Sequence, residues 1–227
     1  MNTFLKIAHR GASGTEPENT LRSFNKAISL KADMVELDVR KCKSGEIIVI
    51  HDKTIRRTTN GRGRVSNLSL PEIKKFNAGK GEKIPTLDEV LNLADKKIKI
   101  NIELKEEDAV LGTVDVLKKN LKKGWKVDDF LISSFDRKTL KKFVLQLPKI
   151  PFAFLTKKLN KKLILWTKEV GCFSINCKYT SLSKKLVNFC HQQNIKIIAY
   201  TINKPGLIEK IKALGVDGII SNFPEKL

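Results

Sequence analysis

No stretch of this 227-residue chain approaches the eighteen or more consecutive apolar residues of a membrane-spanning helix, so nothing in it reads as a transmembrane segment. A strand-like pattern over residues 4–8 begins too early to leave room for a secretory signal, and the expectation is a cytoplasmic protein. Cysteine is scarce: Cys42, Cys172, Cys177 and Cys190 show neither CxxC nor Cys/His zinc spacing and are expected to be reduced thiols without a functional role. No GxGxxG or Walker loop is present, which removes the main support for a nucleotide-binding open sheet. Acidic residues are few as well, 24 against 44 basic ones, for a net charge of +20. The lysines recur along nearly every predicted helix, with no basic tail and no arginine-rich cluster, so the excess reads as a compositional bias and predicts no specific nucleic-acid partner. Its field would still draw in small anionic substrates.

With 41% hydrophobic residues, the chain is long enough to bury a sizeable core, and a single domain is expected. Its most informative stretch is residues 34–52, MVELDVRKCKSGEIIVIHD. Val35, Glu36, Leu37, Asp38 and Val39 alternate, so a strand here sends both carboxylates to one face and the apolar side chains to the other. Two acids on a buried face need a cation. The link between Arg40 and Glu46 is too short for a parallel crossover, which makes the β-branched run over residues 47–50 the return arm of an antiparallel hairpin. Counting outward from Ser44 and Gly45 places His51 opposite Asp38.

Elsewhere the pattern predicts strands over residues 98–104, 130–133, 152–155, 172–175, 196–201 and 218–220. Helices are predicted over 20–30 (with Asn19 as N-cap), 86–94, 108–123, 137–147, 161–168, 183–193 and 205–214. Residues 53–83, which contain Asn60-Gly61-Arg62-Gly63, read as a small insertion or lid. With the return arm set aside as a decoration, eight strands alternate with helices, the pattern of a (β/α)8 TIM barrel; a doubly wound open sheet is the alternative. Barrel chemistry sits at the C-terminal strand ends. There the polar residues gather: His9 and Arg10 after the first strand, Glu36 and Asp38 on the second, Glu103 and Lys105 on the third.

Glu36, Asp38 and Glu103 together make an oxygen-rich set that suits Mg²⁺ or Ca²⁺ better than zinc. The bland reading pairs these acids with nearby lysines, but convergence of three of them on adjacent strand ends favours a metal. His191 lies among Gln192 and Gln193 and reads as a solvated surface residue. His9 and His51 each close an apolar strand, so a pair facing the carboxylates suits a general acid and base, with Arg10 and Lys105 placed to offset charge on a phosphoryl group.

The segments HRGASGTEPENT, ELDVRKCKSGEIIVIHD, TTNGRG, IPTLDEVL and NIELK, followed more weakly by SSFD, AYTIN and DGIISNFP, resemble the glycerophosphodiester phosphodiesterase family over essentially the whole chain. The resemblance implies a (β/α)8 barrel that hydrolyses glycerophosphodiesters to glycerol 3-phosphate and an alcohol, with a small-molecule diester as its partner. It implies that Glu36, Asp38 and Glu103 hold the divalent cation (Mg²⁺ or Ca²⁺, with Mn²⁺ also compatible), that His9 and His51 are the acid and base, and that Arg10 and Lys105 contact phosphate. Glu18 is then a partner of Arg10, and Asn19 mainly a helix cap. Attack by the neighbouring glycerol hydroxyl, through a cyclic phosphate, and direct attack by water both remain open, as does which histidine acts first as base.

Two positions depart from the family pattern. Tyr200 stands where a tryptophan is usual, and Asn222 where an aspartate is common; both are read as affecting substrate preference, with Tyr200 kept as an aromatic wall. Rival readings are a lysophospholipase D or sphingomyelinase D type activity, for which Phe76 and Phe154 are candidate groove residues, and a noncatalytic polyanion-binding barrel.

Overall fold

The computed structural model describes residues 4–227. Alternation in the sequence becomes a closed sheet. In β4 (Lys99–Leu104), Ile100, Ile102 and Leu104 are buried in the large apolar cluster shared with the helices, while Asn101 and Glu103 project from the opposite, inward face. The same division holds in β1 (Leu5–His9) and β2 (Met34–Lys41), and it continues through β5 (Phe130–Ser134), β6 (Phe152–Thr156), β7 (Ser174–Lys178), β8 (Lys196–Tyr200) and β9 (Gly218–Ser221). These eight strands pair in parallel around the ring, and β1 closes it by pairing with both β2 and β9. The fold is therefore the expected (β/α)8 TIM barrel. A small inner cluster of Ile7, Met34, Leu131, Ala153, Ile198 and Ile220 fills the lower lumen and leaves the mouth to polar residues.

The helices α1 (Leu21–Ser29), α3 (Leu87–Ala94), α4 (Ala109–Lys122), α5 (Arg137–Gln146), α6 (Lys161–Glu169), α7 (Lys184–Gln192) and α8 (Pro205–Ala213) ring the outside, and α2 (Leu70–Lys75) lies in the insertion. The start of α1 falls one residue later than expected: Thr20 is the N-cap, accepting from the Ser23 N–H in a capping box, which frees Asn19 for another task. β7 also begins later, at Ser174 instead of Cys172.

β3 (Ile47–Val49) is the antiparallel return arm, but its register differs by one residue. The loop has three residues, Lys43 to Gly45, with Gly45 at φ +105°, and the Ile50 N–H donates to the Asp38 carbonyl. Ile50, not His51, therefore stands opposite Asp38; His51 lies one step further along the return arm. Because β2 continues to Lys41 to meet β3, Glu36 and Asp38 lie within the strand instead of at its end.

Residues 53–83 wrap a second core, in which Ile55, Val65, Ile73, Ala78 and Ile84 join Cys42, Ile48 and Ile50 from the hairpin. Gly61 is required there, since an added Cβ would fall 2.2 Å from the Phe76 ring. All four cysteines are buried and free, and burial pushes the thiols of Cys172, Cys177 and Cys190 up to about 12, leaving them unreactive. No helix among the described residues is long and apolar enough to cross a membrane.

Candidate active site

At the mouth of the barrel a cavity of about 160 Å³ is lined by His9, Arg10, Glu36, His51, Glu103 and Lys105, with Asn101 and Ser133 in its lining and Phe135, Leu155 and Tyr200 along one side. Strand register places the acids. Glu36 on β2 lies beside His9 on β1, and Asp38 lies beside Glu103 on β4, so carboxylates two residues apart along one strand meet a third from its neighbour. One oxygen from each of Glu36, Asp38 and Glu103 lies within 4.8 Å of the others, and all three residues are buried.

Two cations neutralise part of this charge. Arg10 Nε is 3.1 Å from Asp38 Oδ2, and Lys105 Nζ is 3.3 Å from Asp38 Oδ1 and bonded to Glu103 Oε1. Asn19, held at φ +56°, turns its amide to donate to Asp38 Oδ2 at 3.0 Å, so its side chain serves the site and not the helix end. Burial resists the charged form of Asp38, but Arg10 and Lys105 outweigh it and hold this carboxyl below its usual range. Glu36 receives only the Arg10 backbone N–H, and burial together with its acidic neighbours raises it well above the normal carboxylate range. Burial and Asp38 push Glu103 up to about 7 despite Lys105. Fully ionised, the three acids would carry one more negative charge than Arg10 and Lys105 offset, and the upward shifts of Glu36 and Glu103 relieve that excess by favouring their protonated forms.

Both mouth histidines are held through Nδ1, which leaves Nε2 free. His9 Nδ1 lies 2.6 Å from Asn222 Oδ1; since that oxygen only accepts, the nitrogen carries the hydrogen and donates. His9 Nε2 is 3.9 Å from Glu36 Oε2, and burial, reinforced by Arg10, lowers His9 to about 4. His51 Nδ1 is 2.6 Å from Asp52 Oδ1. Burial lowers His51 too, while the Asp38 charge and the Asp52 bond oppose the shift. Asn222, read from the sequence as a determinant of substrate preference, is in direct contact with a histidine of the site.

Behind these groups lies a cross-brace of which the sequence had shown only the Glu18–Arg10 pair. Arg57, from the insertion, donates Nη1 and Nη2 to Glu18 at 2.8 Å each and Nε to Asp52 Oδ2 at 2.6 Å; Glu18 in turn accepts from Arg10 Nη1 at 2.9 Å. These bonds hold Asp52 far below the ordinary aspartate range. The Asp52 side of the brace had a local signal in the His51-Asp52 pair. Arg57 had none, as one of several arginines in an irregular segment. The remaining histidine, His191, lies away from the mouth with Nε2 2.9 Å from Asp217 Oδ2, so it is a surface residue with a partner and not simply a solvated one. Tyr200 donates its hydroxyl to the Thr156 carbonyl at 2.8 Å and packs edge-on to Phe135, while Phe154 is buried against Trp166 and Phe76 lies in the insertion.

Residues 9–226 of the chain match the model of the glycerophosphoryl diester phosphodiesterase family. The chain belongs to that family. It is 36% identical to a glycerophosphodiester phosphodiesterase of Caldanaerobacter subterraneus subsp. tengcongensis, over 98% of this chain and 96% of that one. It is 32% identical to a glycerophosphodiester phosphodiesterase of Bacillus subtilis, over 97% and 84%. Among solved structures, an Oleispira antarctica phosphodiesterase in complex with the product sn-glycerol-3-phosphate superposes with a TM-score of 0.91 at 30% identity, covering 97% of this chain and 93% of that one.

Proposed function

We propose that this member of the family hydrolyses a soluble glycerophosphodiester to glycerol 3-phosphate and an alcohol, with Glu36, Asp38 and Glu103 holding a divalent cation, Mg²⁺, Ca²⁺ or Mn²⁺. The observation that carries the reading is a small cavity lined by His9, His51, Glu36 and Glu103, with a carboxylate oxygen of Asp38 within 4.8 Å of those of the two glutamates. The donor set fits a hard cation: all its ligand atoms are carboxylate oxygens, two of the three acids are shifted toward their neutral forms, and the buried Asp38 Oδ1 accepts no hydrogen bond, with only the Lys105 ammonium 3.3 Å away. When bound, such a cation supplies Lewis-acid polarisation of phosphoryl oxygens.

The chain's own residues supply the rest. Arg10 and Lys105 stand beside the carboxylates and offset negative charge as it moves onto the phosphoryl oxygens. One histidine accepts the proton of the attacking hydroxyl, the neighbouring glycerol hydroxyl in our reading, and the other gives a proton to the departing alcohol oxygen. Their roles exchange when water opens the resulting cyclic phosphate. Asp52 backs His51 with a negative charge whereas Asn222 backs His9 with a neutral amide, so His51 is the better placed to carry the proton and His9 the better placed to stay neutral. The cavity, about 160 Å³, matches a glycerol phosphate unit in size and is small for a lysolipid with its acyl chain.

The test is glycerol 3-phosphate release from glycerophosphocholine, with lysophosphatidylcholine in parallel, by wild type and by His51→Ala. Release is expected from the former substrate, dependent on added Mg²⁺, Mn²⁺ or Ca²⁺, with a loss of about 10²- to 10⁴-fold in the variant. No release from any glycerophosphodiester with any of the three metals would sink the proposal.

A further inference from the structure

The positive charge is not spread evenly over the molecule. Between Asp136 and Glu209 the only acid is Glu169, against fifteen lysines and arginines, so this third of the chain carries fourteen of the twenty net positive charges. Its helices α5, α6 and α7 stand side by side over the contiguous strands β6, β7 and β8. Among the described residues, only Lys142 of those fifteen cations has a carboxylate within ion-pair distance, Glu107 at 3.0 Å.

Apolar exposure falls on the same side. Among the described residues, Leu145 (72% exposed), Leu165, Val170 and Phe173 lie here and Phe135 lies at its edge, leaving Leu111 as the one exposed large apolar side chain elsewhere. The barrel's outer wall is also open between α5 and α6. Two hollows of about 460 and 800 Å³ meet there, the first rimmed by Leu145 and Val170, the second by Leu165, with Arg137 and Trp166 common to both. The Arg137 guanidinium sits 3.8 Å from the centre of the Trp166 ring, and that ring in turn packs against Phe154.

We propose that the α5–α6 wall is a docking face for an anionic phospholipid surface. Unpaired lysines around exposed leucine, valine and a half-buried tryptophan are what an acidic bilayer interface complements: phosphates meet the cations, and the aliphatic side chains enter the boundary between headgroups and acyl chains. A second copy of the chain would oppose like charge to like charge. A nucleic acid would gain little from exposed leucines, and only Arg137 among the fifteen cations is an arginine. Phe135, on the rim of the catalytic cavity, stands two residues before Arg137, which lines both hollows. The inference does not depend on the proposed reaction, because vesicle binding is read without substrate.

The test is co-sedimentation of the full chain with phosphatidylglycerol-containing and pure phosphatidylcholine vesicles at about 0.15 M salt, together with tryptophan emission. Trp125 is buried against Phe130, which leaves Trp166 as the reporter. Binding to the anionic vesicles alone is expected, with a blue shift that Trp166→Phe abolishes. The charge-neutral Leu145→Gln/Leu165→Gln variant should lose about tenfold or more in partitioning, given the apolar area withdrawn, while its melting temperature and turnover stay at wild-type values and Leu111→Gln binds normally. Equal binding to both vesicle types, or undiminished binding by the double variant, would overturn the proposal. So would binding to an RNA homopolymer that competes fully with vesicles and is equally insensitive to the leucine changes, or a concentration-dependent dimer that those changes abolish.

Discussion

His9 and His51 face one cavity but rest on different partners, a neutral amide from Asn222 and a carboxylate from Asp52. A carboxylate that accepts Nδ1–H stabilises the imidazolium, whereas an amide oxygen does so only weakly. Asn222→Asp should therefore raise the His9 pKa from about 4, and whichever limb of the pH–rate profile belongs to His9 should move to higher pH; an unmoved profile would show that this contact does not tune the histidine. Asp52→Asn should lower the His51 pKa and cost about 10- to 100-fold in kcat, the range for lost supporting hydrogen bonds in such sites. The histidines and the acids were legible in the sequence because each closes or alternates along a strand pattern. Asn222 was noticed only as a departure, since 213 positions separate it from His9 and nothing local announces their contact.

The hairpin and the insertion form one element in energetic terms, because Cys42, Ile48 and Ile50 from the hairpin share a core with Ile55, Val65 and Ile73. Arg57 extends from this unit to Glu18 and Asp52, so the packing of the insertion is coupled to the orientation of His51 and Arg10. Ile73→Ala removes a fully buried side chain from that small core and should destabilise it by about 2–5 kcal/mol. Partial release of Arg57 should accompany this, seen as accelerated hydrogen exchange over the insertion and a fall in kcat, with exchange in the barrel strands little changed. Exchange that rises uniformly over the barrel would instead mean that the insertion has no separate stability. The hairpin itself was evident from its short link. Its register was not, because two- and three-residue loops differ by a single residue and the sequence LysSerGly accommodates either.

Across the whole molecule, the ring of strands concentrates three acids in a space where they cannot all ionise without help. Glu103 titrates near 7 when folded and near 4.5 as an ordinary glutamate, so its contribution to stability is present at low pH and is lost as pH rises through 7. A bound cation reverses that balance by favouring the ionised acids. Calorimetry below pH 7 should therefore record proton release on Mg²⁺, Mn²⁺ or Ca²⁺ binding, and affinity should increase with pH as Glu103 and Glu36 ionise. At a hundredfold excess over Kd the cation should add about 2.7 kcal/mol of stability, a rise of roughly 5–10 °C in Tm for a chain of this size. Metal binding without proton release would contradict the neutral state of Glu36 and Glu103.

The alternation of apolar and polar residues, read along the chain, determined the strands and helices, the count of eight and the gathering of His9, Arg10, Glu36, Asp38, Glu103 and Lys105 at one end of the barrel. These are local properties, set by side-chain periodicity and by the way a parallel sheet must close. Tertiary structure alone decided which distant groups stand behind them, Asn222 for His9, Arg57 for Asp52, and Asn19 for Asp38. Contacts between residues far apart in sequence depend on strand register and loop path, which hydrophobic pattern does not encode. The uneven charge was countable in the sequence, but only the closed barrel shows that its lysines share one wall with the exposed leucines. Folding brings α5 and α6 to the two sides of one open groove.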